Sequence, residues 1–137
     1  MIPVNEYTMI ELTEYKLGVY DEHDQLKEAG SFIHAVLEED ADNCSVYIMT
    51  DDSMEPFIKD GDTLLVMKKA KVQNHDYIIV NLMQREAICR KIIVHDNGSI
   101  SLQALNFTYP SLYYLNKEHF KSEVKIIGRV QEIRRSL

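Results

Sequence analysis

From residue 45 onward the apolar residues come in short runs, each closed by a cluster of turn-forming residues, and that rhythm predicts strands. Residues 45–50 (SVYIMT) and 63–68 (TLLVMK) read as two strands separated by a turn-rich loop. Residues 77–82 (YIIVNL) and 86–94 (EAICRKIIV) are joined only by residues 83–85, which predicts a hairpin. Asp96-Asn97-Gly98 is a turn signal, and residues 99–105 follow it as the next strand. Residues 124–135 (VKIIGRVQEIRR) make a long final strand, in which Gly128 marks a bulge or the close approach of another backbone. Upstream the pattern loosens. Residues 1–30 scatter Tyr, Leu and Val among acids, with Gly18 and Gly30 as punctuation, and predict an arm carrying one short strand. Residues 31–39 (SFIHAVLEE) predict a short helix capped by Ser31, with Phe32, Val36 and Leu37 on one face. The expected class is mainly β: a domain over residues 45–137, preceded by a looser N-terminal arm over residues 1–44.

Composition narrows the possibilities. A chain of 137 residues, 45% hydrophobic and 27% charged with eight Tyr and four Phe, suits one packed domain rather than a disordered tail. No apolar run is long enough to cross a bilayer, and the start lacks a secretory signal. Two cysteines, Cys44 and Cys89, are too few for a disulfide framework or a closed zinc site, so the cytoplasm is the expected compartment. The five histidines share no metal-ligand spacing, and neither metal nor cofactor is expected. Tyr109, Tyr113, Tyr114 and Phe120 lack interleaved Arg or Lys, which favours packing over base stacking.

The net charge of −7 is unevenly spread. Residues 1–62 hold sixteen acids against three Lys/Arg, a balance of −13, while residues 63–137 carry +6. Such an acidic front half argues against the chain gripping duplex DNA by itself. The halves either complement each other across one fold or reserve an acidic face for a basic partner.

The most informative stretch is Asp52-Ser53-Met54-Glu55-Pro56-Phe57-Ile58-Lys59-Asp60-Gly61-Asp62. A serine directly after a strand, a proline three residues later and a Gly-Asp opening the next strand hold a hydroxyl at the rim of a sheet. The run over residues 46–66 (VYIMTDDSMEPFIKDGDTLLV) resembles the serine segment of the LexA-type self-cleaving proteins. These include SOS repressors, lambda-type phage repressors and the UmuD polymerase subunits. Further matches follow in order: His75-Asp76, the strand EAICRKI, Leu105-Asn106, Tyr109-Pro110 and Ile127-Gly128-Arg129-Val130. The resemblance covers residues 46 to the end and implies a coiled β-sheet domain of the LexA and signal-peptidase kind.

It also implies a Ser–Lys dyad with Ser53 as nucleophile. There a buried neutral lysine takes the serine proton, because an exposed one stays charged at neutral pH. Aligned without gaps, EAICRKI places Arg90 at the lysine position, and a guanidinium does not act as a general base. Either the dyad is broken, or a bulge in the turn before Glu86 turns Lys91 inward as the base, since neighbours on a strand face opposite ways. Self-cleaving members cut a small residue–Gly bond in the arm. Two candidates are Leu17-Gly18, whose glycine lies 35 residues before Ser53, and Ala29-Gly30, whose glycine lies 23 before it.

The function implied is the C-terminal regulatory and dimerisation domain of a LexA- or phage-type repressor. The alternative is a free-standing UmuD-like accessory subunit of a translesion polymerase. A membrane signal peptidase shares the Ser–Lys logic but needs a membrane segment. The implied partners are a second copy of the chain and, for self-cleaving members, a RecA filament. Residues 1–45 contain no helix pair of the DNA-binding kind, so DNA would be reached only through a separate N-terminal domain.

Overall fold

The unbroken apolar runs of the middle of the chain become strands buried on both faces. In a computed structural model, which describes residues 6–83 and 86–135, these are β3 (Cys44–Ile48), β4 (Thr63–Met67), β5 (Tyr77–Leu82) and β6 (Ala87–Val94). They follow β1 (Tyr7–Tyr20) and β2 (Leu26–Leu37) and precede β7 (Ile100–Gln103), β8 (Leu112–Tyr114), the helix α1 (Lys117–Glu123) and β9 (Val124–Arg134). The described strands form one mixed sheet in the order β2-β1-β3-β4-β9-β5-β6-β7-β8. Every pairing is antiparallel except β1 with β3, where Glu14–Lys16 run parallel to Val46–Ile48. The mainly β class expected from the sequence holds.

Pairing explains why both faces of the central strands are apolar. On one side of β3 and β4, Tyr47 and Leu64 join a core with Met49, Met54, Ile58 and Cys89. On the other, Val46 and Leu65 pack under the β1–β2 hairpin, against Ile10, Leu12, Phe32 and Val36. A further core lies between β5, β6, β7, β9 and α1, around Ile78, Val80, Ile92, Leu102 and Phe120. The sheet coils strongly. His34 on β2 reaches Glu132 (3.4 Å) and Arg134 (2.8 Å) on β9, although three strands separate β2 from β9 in the sheet order.

The arm differs from its expected form. The helix anticipated over residues 31–39 is the end of β2, followed by a single 3-10 turn at Glu38–Asp40. Phe32 and Val36 are four residues apart, a spacing that suits one face of a helix and one face of a strand equally. Pairing with β1 decides between them: Leu12 opposes Phe32, Ile10 opposes His34 and Thr8 opposes Val36. Residues 7–20, expected to be mostly irregular, form one long strand whose register shifts after Glu14.

Gly128 meets both readings of its position. The β5–β9 ladder passes from Ile79–Gly128 to Val80–Ile126, skipping Ile127 as a bulge. A Cβ on Gly128 would also lie 2.6 Å from the Met67 carbonyl oxygen and from Val66 Cγ1. The terminal strand has β4 on one side and β5 on the other. What it offers a partner is therefore a face and not a free edge.

Candidate functional site

Ser53 sits in the loop between β3 and β4, and the loop is held from three directions. Met54 and Ile58 are fully buried and anchor it in the core. At its far end Asp62 accepts from the Lys59 amide (2.7 Å) and from both Nε (2.8 Å) and Nη2 (2.7 Å) of Arg135. The Arg135 guanidinium holds the Asp62 carboxyl below its ordinary value. From a third side, the backbone amides of Leu105 and Asn106 both donate to the Ser53 carbonyl at 3.0 Å, and Asn106 Nδ2 donates to the Asp52 carbonyl at 3.2 Å. The Leu105-Asn106 pair thus clamps the serine backbone against the turn after β7.

The hydroxyl itself is fully buried and has two partners. Ser53 Oγ donates to Asp51 Oδ1 at 2.6 Å, and the same carboxylate oxygen accepts the Ser53 amide at 3.0 Å in an Asx turn. Arg90 Nη1 donates to Ser53 Oγ at 2.9 Å and to the Cys89 carbonyl at 2.8 Å. Arg90 is only 7% exposed, and its Nε has no hydrogen-bond partner. The Tyr109 ring lies 6.0 Å from the guanidinium carbon. The Tyr109 hydroxyl is held above its ordinary value, chiefly by its hydrogen bond to the Asp52 carboxylate.

Of the two candidate bases, the structure therefore brings Arg90 to Ser53. Lys91 points to the opposite face of β6, level with Tyr77 and Gln103 in the ladders. Both thiols are poor nucleophiles. Complete burial pushes the Cys89 thiol up to about 12, and burial together with Asp40 raises that of Cys44. Among the described residues no group of three His, Cys, Asp or Glu is placed to hold a metal ion, and no helix is long and apolar enough to cross a membrane.

The two candidate cleavage bonds are placed very differently. Parallel pairing of β1 with β3 carries Leu17-Gly18 to the strand end that leads into the serine loop. The Leu17 side chain is buried in the core, and its carbonyl accepts a hydrogen bond from Thr50 Oγ1. A cavity of about 180 Å3 is bordered by Leu17, Gly18, Thr50, Asp51 and Cys89. Gly18 has φ +74°, which glycine adopts without strain. Ala29 and Gly30 lie on β2, beyond β1 from the serine loop, with Gly30 opposite Glu14. Asp51 and Thr50 were not singled out from the sequence. The signal for Asp51 is its place two residues before Ser53, the spacing of an Asx turn.

A comparison with protein families matches residues 10–131 to the Peptidase S24-like model. The chain belongs to the Peptidase S24-like family. No curated protein matches the chain. The S24-like match runs from β1 into β9, so it takes in Leu17-Gly18, the serine loop and Arg90 together. It agrees at the family level with the resemblance of the serine segment.

Proposed function

We propose that this S24-like chain is the regulatory and dimerisation domain of a LexA- or phage-type repressor whose dyad has lost its base. The observation that carries this reading is the 2.9 Å bond from Arg90 Nη1 to Ser53 Oγ. Attack by serine requires its proton to leave as the Oγ–C bond forms. A neutral lysine beside Oγ takes that proton; a guanidinium, always charged, only donates to Oγ. The remaining neighbour is the Asp51 carboxylate, whose Oδ1 is already engaged by the Ser53 amide in the turn that shapes the loop. The site keeps the geometry of a peptidase and withholds the proton transfer. A module of this kind suits a role that depends on pairing two subunits, and suits less well an accessory polymerase subunit that is activated by cutting its own arm.

Intact-mass measurement after a day between about pH 7 and about pH 10 tests the missing base. The wild-type chain is expected to stay whole. Arg90→Lys is expected to produce fragments ending at Leu17, with rates rising with pH as the amine neutralises, and Ser53→Ala in that background is expected to stop them. Wild-type fragments that vanish with Lys91→Ala but persist with Arg90→Ala would overturn the proposal and make Lys91 the base.

A further inference from the structure

A second concavity shares no lining residue with the cavity beside Leu17-Gly18 and includes neither Ser53 nor Arg90. It has a volume of about 670 Å3, within the range of small-molecule sites, and is framed by α1, the start of β9 and the ends of β6 and β7. Its floor is Ile92, Ile100, Phe120 and Ile126, and every other lining side chain except three is also apolar. The three are Lys117, Lys121 and Lys125. Lys117 and Lys121 are one helical turn apart and share a face of α1. All three lysines are exposed, and among the described residues none is held in an ion pair or hydrogen bond. Glu123 on the same helix is turned to His119, at 3.4 Å.

The chemistry of this lining is selective. In a chain of net charge −7, the groove presents only cations at its mouth and only hydrocarbon beneath them. Its side chains offer no hydrogen-bond acceptor, so a ligand rich in donors would enter with those groups unsatisfied. An unbranched aliphatic tail needs no hydrogen bonds, and an anionic head matches the lysines. We infer that this groove binds a single long-chain aliphatic carboxylate free in solution, with its tail along Ile92 and Ile100 and its head among the lysines.

Val94 borders the groove and is 43% exposed, and the chain has no tryptophan, so Val94→Trp gives a fluorophore that reports on this site alone. Titration with dodecanoate below its micellar concentration is expected to give a saturable blue shift. Affinity is expected to fall about fourfold for each methylene removed from the probe. Changing Lys117, Lys121 and Lys125 together to Gln is expected to weaken dodecanoate by about tenfold or more and leave dodecanol within about twofold. Methyl NMR shifts of Ile92, Ile100 and Ile126 in the wild-type chain give the same readout without a substitution. Absence of saturable binding, or equal weakening of dodecanol and dodecanoate by the lysine changes, would overturn the proposal. Binding to phosphatidylglycerol vesicles, or to an acidic amphipathic peptide, without binding of monomeric dodecanoate would also overturn it, in favour of a membrane or a protein partner.

Discussion

Asp62 is the one buried carboxylate among the described residues, and its Arg135 partner makes it a sensor of acid. Its folded-state value lies below the ordinary carboxylate range, so the unfolded chain takes up the proton first as pH falls. The stability it contributes is fully present above about pH 4 and is lost as pH drops through the lower, folded value. Urea midpoints are therefore expected to separate wild type from Asp62→Asn at neutral pH, with the two curves converging in acid. A constant gap down to about pH 2 would count against this account. At Thr50, whose hydroxyl holds the Leu17 carbonyl, Thr50→Val removes that bond and keeps the side-chain volume. Hydrogen exchange across residues 15–20 is expected to quicken about fivefold, the equivalent of about 1 kcal/mol. Unchanged exchange would mean that core burial of Leu17 alone fixes the segment.

Gly128 shows how one position can serve two neighbouring strands. It sits where β9 passes its bulge against β5 and lies closest to β4, so Gly128→Ala must displace main chain at Met67 as well as the Val66 side chain. The expected cost is about 2 kcal/mol in denaturant unfolding, and a loss under about 0.5 kcal/mol would show that β4 can yield. The strands read correctly from the sequence, over residues 45–105 and 124–135, have short apolar runs closed by turn residues, with apolar side chains on both faces of the central ones. The hairpin of β1 and β2 was hidden because one of its faces meets solvent, with Met9, Glu11 and Ile33 exposed, and its alternation breaks at the register shift after Glu14. Helix α1 is seven residues long, less than two full turns past its Asn116 cap, too short for a period to show. In the site, Ser53 was legible because the resemblance of its segment aligns it without gaps, which also narrows the partner on β6 to Arg90 or Lys91. Choosing between Arg90 and Lys91 was not, because it depends on which face of β6 looks inward, a property of strand pairing.

Taken as one body, the chain combines a front half of −13 with a remainder of +6, and ion pairing between them, such as Arg135 with Asp62, joins the two. The acidic excess leads to an expectation that this chain alone binds duplex DNA no better than non-specifically. Tight, sequence-selective retardation in a gel shift at physiological salt would contradict it. Under the proposed role the chain pairs with a second copy, and because β9 lies between β4 and β5, any part it takes in that pairing uses its side-chain faces. Sedimentation equilibrium at about tens of micromolar is expected to give twice the chain mass, and a monomer throughout that range would remove the dimerisation reading.

The seating of β1 beside β3 has a consequence for competition. Because Leu17-Gly18 is joined to the serine loop by its own backbone, its local concentration at that loop does not fall on dilution. For a short flexible tether such a concentration is about millimolar. A free peptide copying residues 14–20, added at about micromolar levels, therefore meets a seat already taken and must bind about a thousandfold more tightly than the resident strand to displace it. Occupancy of that seat is an internal property of each molecule, the same in a concentrated stock as in a dilute assay.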